Sequence, residues 1–205
     1  MRTAPVVLSF ALAFSIGAAQ ASEPGAVATS NPWGLEVSAG MMSDYIWRGI
    51  TQSAHKPAVE TSAELRYDAS SHWQLYAGVS SESIDFPNQA ALEIDVFGGI
   101  RPTVGPLSFD FGLVSYNYPG GRCYNSLQNQ LLCNPSFANG NVAKALASYY
   151  EAYAEATWTV SPQWELGSEL YYTPNIANTG SPGTYVSGRL KYSSPTAIFR
   201  DINWS

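Results

Sequence analysis

Apolar and polar residues alternate along most of the chain with a period of two, which is typical of β-strands whose two faces differ. In the clearest segment, from Val59 to Asp68, one face carries Val, Thr, Ala, Leu and Tyr, and the other carries four charged residues and a serine. Seven further segments alternate in the same way. The pattern predicts eight strands at residues 33–41, 59–68, 73–80, 92–97, 107–118, 149–158, 163–172 and 184–192.

The connections between these strands alternate between short and long. Short turns at 69–72, 102–106 and 161–162 join strands two and three, four and five, and six and seven, whereas the connections at 48–57, 82–90, 119–148 and 173–183 are long. Bacterial outer-membrane barrels sort their connections in this way, with short periplasmic turns and longer extracellular loops. The sequence therefore predicts an all-β, antiparallel up-and-down transmembrane β-barrel whose apolar face points to lipid. A soluble periplasmic ligand-binding barrel with its apolar face inward is the alternative.

Large aromatic residues gather at the periplasmic end of the predicted strands, on the apolar side. Trp and Tyr rings are enriched at membrane interfaces, where an apolar ring and a polar tip both find suitable surroundings. Four aromatic residues near the other strand ends are expected to serve the opposite rim: Tyr45, Trp47, Tyr149 and Tyr150. The predicted periplasmic girdle consists of Trp33, Tyr67, Trp73, Trp158, Trp164 and Tyr192.

The N-terminal residues have the composition of a secretory signal peptide. Arg2 precedes an apolar run over 6–19, and Ala19 and Ala21 form the small-residue pattern for cleavage before Ser22. We therefore assign residues 1–21 to a signal peptide and 22–205 to one barrel domain in the bacterial outer membrane; an uncleaved anchor is the alternative. No later apolar stretch approaches the roughly 20 residues of a membrane helix, so insertion requires strands.

Composition limits the partners and the chemistry. Charged residues make up 13% of the chain and the formal net charge is -6, which argues against nucleic acid as a partner. In an exported chain the only two cysteines, Cys123 and Cys133, are expected to form a disulfide, with a metal pair as the alternative. His55, with Ser53 or Glu60 nearby, is a poor catalytic candidate, because no nucleophile, base and orienting group occur together. We expect no enzymatic activity and no cofactor.

The polar face of the predicted barrel is acidic near its extracellular end. Asp44 and Arg48 are expected about 13 Å apart on one strand face, so Arg48 should pair with a carboxylate on another strand. A salt-bridge network that fills a narrow lumen and a ring that selects solutes are both open interpretations, and a water-filled lumen would favour cations. The candidate lumen residues are Asp44, Arg48, Glu60, Glu93, Asp95 and Glu151.

The run SDYIWRGITQS at 43–53, followed by Lys56-Pro57, resembles the opening motif of the TorF family of porins, SDYxxRGxxQS. Fragments at 76–79, 85–86, 93–95, 116–120 and 150–153 extend the resemblance over about 43–192. The resemblance implies an outer-membrane barrel with porin activity on small solutes. Five residues match the family's polar motif positions: Asp44, Arg48, Glu93, Asp95 and Glu151.

Two questions stay open at the level of sequence. Members of the TorF family usually continue through further strands, whereas here the alternation ends at about Ser193, so strand eight either meets strand one or leaves the barrel incomplete. A barrel that does not conduct, and whose long loops bind partners outside the cell, is the alternative to a channel. The pattern predicts neither the solute nor the oligomeric state.

Overall fold

Eight long strands form one antiparallel sheet in the structure, a computed structural model that describes residues 31–122, 124–125, 142–143 and 146–193. Each of these strands pairs with its neighbour in sequence. The predicted all-β fold with eight antiparallel strands is therefore confirmed. The strands are β1 Trp33–Met42, β2 Ala58–Ser70, β3 Trp73–Ser83, β4 Leu92–Val104, β5 Leu107–Asn117, β6 Tyr149–Thr159, β7 Trp164–Thr173 and β8 Gly183–Tyr192.

The connections keep the predicted alternation of length. β2 and β3, and likewise β4 and β5, are separated by two residues, and β6 and β7 by four, whereas the other connections are longer. They include a short hairpin of Ile46–Trp47 with Ile50–Thr51, a pair of two-residue strands at Tyr124–Asn125 and Val142–Ala143, and a 3-10 turn at Ile176–Asn178. The predicted signal peptide (1–21), Cys123 and Cys133 lie outside the described residues, so the signal peptide and the disulfide remain predictions.

The two faces of the sheet have opposite polarity, and the apolar one is exposed. Leu35 and Val186 on this outer face are 70% and 69% exposed, while Glu93 and Glu151 on the opposite face are each 1% exposed. The sheet curls around this inner face. Tyr76 on β3 bonds to Tyr153 on β6, although two strands that are each about 4.8 Å wide separate them.

The described strands do not close into a barrel. β1 pairs only with β2, and β8 only with β7, so these two strands are the edges of the sheet in the part of the chain that the structure describes. Barrel closure, which the sequence pattern also predicts, is thus not seen. Among the described residues, no helix is long and apolar enough to cross a membrane.

A small buried core lies at the end of the sheet where the long connections meet. It contains Ile84, Val114, Tyr116 and Tyr118, and side chains from the first long loop, residues 43–57, pack against it. Backbone bonds link these connections, with the amide of Asp85 donating to the carbonyl of Gln52 at 2.8 Å. The long-loop end of the inner face is therefore covered by aromatic side chains.

Candidate functional site

The inner face carries the polar groups that sequence analysis singles out, and the motif at 43–53 forms part of its cover. After Met42 the chain leaves β1 and folds into the short hairpin around Arg48 and Gly49. Both turn residues have positive φ, 48° and 80°, as the two-residue turns favoured in hairpins require. The expectation that Asp44 and Arg48 share one strand face is therefore wrong, because β1 ends at Met42, Asp44 lies in a bend after it and Arg48 lies in the hairpin turn.

The hairpin places the Arg48 guanidinium against Glu151 on β6. Nη1 and Nη2 donate to the two carboxylate oxygens at 2.9 and 2.6 Å, and the Glu151 side chain is only 2% exposed. The rings of Trp47, Tyr171 and Tyr185 surround the guanidinium at 4.4 to 4.8 Å. Burial acts to lower the pKa of Arg48, but the bonds and charge of Glu151 outweigh it and raise the pKa. The predicted pairing of Arg48 with a carboxylate on another strand is confirmed.

Asp44 accepts hydrogen bonds within the first long loop and lies apart from the other candidate lumen residues. Its Oδ1 accepts hydrogen bonds from Thr51 at 2.6 Å and Ser53 at 2.8 Å, and its Oδ2 lies 2.8 Å from Nδ1 of His55. These bonds, with that of Thr51 largest, hold the pKa of Asp44 below its ordinary value. Asp44 stands between the serine and the histidine, whereas a nucleophilic triad needs the histidine in the middle. The absence of enzymatic activity remains a prediction.

Three carboxylates come together on β3 and β4, below the first long loop. Glu82 lies directly opposite Glu93 in the register, and Asp95 is the next inner-face residue on β4. One oxygen from each of Glu82, Glu93 and Asp95 lies within 4.8 Å of the others. Glu60 is opposite Glu82 on β2 but leans over Gly40, where an added Cβ would lie 2.6 Å from its Oε1. We call Glu82, Glu93 and Asp95 the acidic cluster.

Tyr45 connects the motif to the acidic cluster. Its hydroxyl donates to Oε1 of Glu93 at 3.2 Å. Burial, and after it the charge of Glu93, raises the pKa of Tyr45, so the hydroxyl keeps its proton and remains a donor. The sequence interpretation missed Glu82 because it placed the end of the third strand at Ser80. The signal was present, since Glu82 continues the polar parity of Ser80.

A second network lies deeper on the inner face and centres on Arg101 of β4. Its guanidinium bonds to both oxygens of Glu64 at 2.7 and 2.9 Å and to Asp110 at 2.9 Å, and it lies 3.6 Å from the centre of the Tyr76 ring. Tyr76 also bonds to Asp110 and Tyr153. Arg101 lies beyond the predicted end of the fourth strand at residue 97, although the inner-face parity continues through residues 99 and 101.

Among the cavities of the inner face, two lie next to Arg101. One of about 300 Å³ lies between the two networks and is lined by Asp95, Arg101, Tyr116 and Tyr153, among others. The other, of about 420 Å³, lies at the short-turn end, where Asp68, His72 and Asp110 contribute to its wall. The inner face is therefore polar along its length, with space for water or small ions between side-chain networks.

Comparison with protein families gives one match. A family described as a bacterial protein of unknown function (Gcw_chp) matches residues 26–164, which is more than half of the chain. The chain belongs to this family. Comparisons with curated proteins and with solved structures found no match. The matched range includes the motif hairpin, the acidic cluster and the Arg101 network.

In this member of the family, the six residues of the predicted girdle lie at the short-turn end of the sheet. Trp33 is opposite Tyr67 with ring centroids 4.8 Å apart, and Trp164 is opposite Tyr192 at 4.7 Å. Trp73 and Trp158 are 52% and 47% exposed on the outer face.

At the long-loop end the predicted rim is largely wrong. Three of the four residues assigned to it, Tyr45, Trp47 and Tyr149, pack against the buried core. Tyr45 and Trp47 do so because the first long loop folds inward, and Tyr149 because it has the inner-face parity of Glu151 on β6. Tyr150 alone of the four is an exposed large side chain, at 56%. Tyr172, at the same end of β7, is 49% exposed on the outer face.

Proposed function

We propose that this protein is an outer-membrane β-barrel that acts as a porin or channel for small solutes and favours cations. The outward apolar face carries the proposal. Leu35, Leu113 and Val186 are all more than 60% exposed, while carboxylates are buried on the inner face. Burying apolar surface contributes roughly 25 cal/mol per Å², and soluble monomers rarely expose large contiguous apolar patches. Lipid is the solvent that removes this surface from water.

Closure of the sheet is part of the proposal. The edge strands β1 and β8 each have ten residues and pair on one side only in the described structure. Each unpaired backbone group inside a bilayer costs several kcal/mol, so a lipid-embedded form needs these edges satisfied. Pairing of β1 with β8 would do so with an even number of strands. The exposed aromatic residues at the short-turn end support the same orientation, and the resemblance to the TorF porins supports the same function.

The charge of the inner face supports a preference for cations. The acidic cluster and Glu60 supply negative charge near the long-loop end, and in the described ranges none of these four carboxylates forms an ion pair with a basic side chain. Rings of carboxylates favour cations in water-filled pores. Neutralising Glu60 should therefore weaken the preference for cations.

The first test is heat-modifiable gel mobility of the mature protein from outer-membrane fractions, combined with conductance and reversal potential in planar bilayers under a salt gradient. We expect a compact, boiling-sensitive species that conducts and prefers cations, with the preference reduced in Glu60→Gln. Asp85→Asn, which removes an exposed loop carboxylate paired with Lys56, is the matched control and should leave the preference unchanged. Anion preference, or recovery as a detergent-free soluble protein, would contradict the proposal.

A structural or interaction barrel that does not conduct is the second candidate, and the packing of the inner face favours it. The Arg48 and Arg101 networks fill part of the interior, and aromatic side chains cover its long-loop end. An eight-stranded barrel has an interior only wide enough for side chains. A compact, boiling-sensitive species without conductance would select this candidate.

A further inference from the structure

We propose that the acidic cluster is a calcium-binding site formed by Glu82, Glu93 and Asp95. The site requires only the folded chain, and it does not depend on whether the protein conducts ions. Nothing in the sequence pattern assigns it, because the sequence interpretation places Glu82 in a loop.

The geometry fits a hard cation. One oxygen from each carboxylate lies within 4.8 Å of the other two. Two ligands of the same Ca²⁺ ion can be at most about 5 Å apart, because calcium–oxygen bonds measure 2.3–2.6 Å. Mg²⁺, with bonds of about 2.1 Å, requires pairs no more than about 4.2 Å apart and holds its water shell more strongly. Oxygen ligands without nitrogen or sulfur also exclude a preference for softer metals.

Two buried oxygens of the cluster have no partner, which is a separate observation. Glu82 is only 9% exposed, and its Oε2 has no hydrogen-bond partner in the part of the chain that the structure describes. The same is true of Oδ1 of Asp95. Buried polar atoms in native proteins are nearly always satisfied, so unpartnered oxygens on two members of the acidic cluster indicate a missing partner such as an ion.

Charge balance supports the same conclusion. The arginine and the lysine of the first long loop pair with carboxylates outside the cluster. Arg48 pairs with Glu151 at 2.6 Å, and Lys56 pairs with Asp85 at 2.5 Å. Glu82 and Glu93 are directly opposite each other, and like charges in this arrangement destabilise a sheet. A divalent cation would neutralise the repulsion and supply a partner to both free oxygens.

Tyr45 offers a direct reporter, because its hydroxyl is 3.2 Å from Glu93. The full mature chain, refolded in detergent micelles and freed of metal with chelator, is titrated with Tb³⁺ while sensitised emission is excited through its aromatic residues. We expect saturable binding of one Tb³⁺ per chain, which Ca²⁺ displaces at lower concentration than Mg²⁺. Glu82→Gln and Asp95→Asn should each weaken the affinity at least about tenfold, the scale of losses seen even for outer-shell partners.

Glu169→Gln is the matched control, since Glu169 is an inner-face carboxylate on β7 that bonds to Ser187. Its affinity for Tb³⁺ should stay within about twofold of the parent, well below the smallest effect expected at the site. A second measurement, of stability, distinguishes loss of the site from altered folding. In chelator, Glu82→Gln should be more stable than the parent because repulsion is removed. In Ca²⁺ it should be less stable than the parent. Absence of saturable binding, equal weakening in the control, or a parent stability that Ca²⁺ does not raise would overturn the proposal.

Discussion

The buried pair between Arg48 and Glu151 should be the most important single contact between the motif hairpin and the sheet. The perturbation is Glu151→Gln, which keeps the size of the side chain and removes its charge. Two short charge-assisted bonds, of 2.6 and 2.9 Å, then become at most one bond to a neutral acceptor. The guanidinium remains buried with a side-chain exposure of 14%.

The magnitude follows from this loss. A hydrogen bond to a charged group contributes roughly 1.5–3 kcal/mol, and removing one partner of a buried pair costs about 3–5 kcal/mol. Three aromatic rings remain close to Arg48 and retain part of its stabilisation. We therefore expect the free energy of unfolding to fall by about 3 kcal/mol, at the lower end of the range for buried pairs.

Urea unfolding of refolded protein in micelles, followed by tryptophan fluorescence, measures this change. Glu165→Gln is the control, because the Glu165–Arg189 pair is longer, at 3.1 Å, and more exposed, with side-chain exposures of 27% and 55%. It should cost less than about 1 kcal/mol. In a double-mutant cycle with Arg48→Met, the coupling should be about 2 kcal/mol. Single effects that simply add, or a Glu151→Gln cost no larger than that of the control, would refute the reasoning.

Three further perturbations test the loop and the sheet. Gly49→Ala should lower stability by about 1–2 kcal/mol in the same urea assay, because its φ is 80°, and Gly34→Ala, without positive φ, should cost less. The pKa of Asp44 is lowered from 3.8 on folding, so its stabilisation of the first long loop is complete above that pH and is lost as the pH falls through the lower folded value. Cleavage of this loop by pepsin should therefore rise at the lowest pH, and Asp44→Asn should remove the dependence; an unchanged profile in the variant would contradict the assignment. Spin labels test whether the sheet closes. In a bilayer, the distance between labels at Val37 on β1 and Val186 on β8 should be shorter than the distance between Val37 and a label on the outer face of β5. The reverse order would show an open sheet.

The strands and their faces could be predicted from the sequence, because alternation with a period of two depends on few residues at a time. All eight predicted strands are present, and Tyr76, Glu93 and Glu151 lie on the face that parity assigns to them. The ends were less predictable. β4 continues through Pro102 to Val104 because Pro102 is the last β4 residue in the ladder with β3, and the ladder with β5 leaves out residues 101 and 102. A residue without an amide donor therefore lies at the margin of the pairing. The extension is what brings Arg101 onto the inner face.

The motif loop could not be predicted from alternation, because turn chemistry governs it. Continuing the strand parity through 43–53 places Asp44 and Arg48 on one face, whereas Arg48 and Gly49 adopt positive φ and reverse the chain. Gly49 at the second position of the turn was the local signal for this reversal, because a two-residue hairpin turn favours glycine there. Tyr45 and Trp47, which were wrongly assigned to the rim at the long-loop end, belong to the same loop and pack against the buried core.

The charged groups of the inner face form two sets: those that are paired and stabilise the fold, and those that have no basic partner in the described chain. Arg48 and Arg101 each satisfy carboxylates that would otherwise be buried alone, so these groups stabilise the curled sheet. The acidic cluster has no basic partner in the described chain, and like charges facing each other across two strands are expected to lower stability. Packing does not explain why a fold keeps groups that reduce its stability, so such groups are expected to serve a function. Whatever ion or solute this protein handles is therefore expected to act at Glu82, Glu93 and Asp95 before it meets the paired networks.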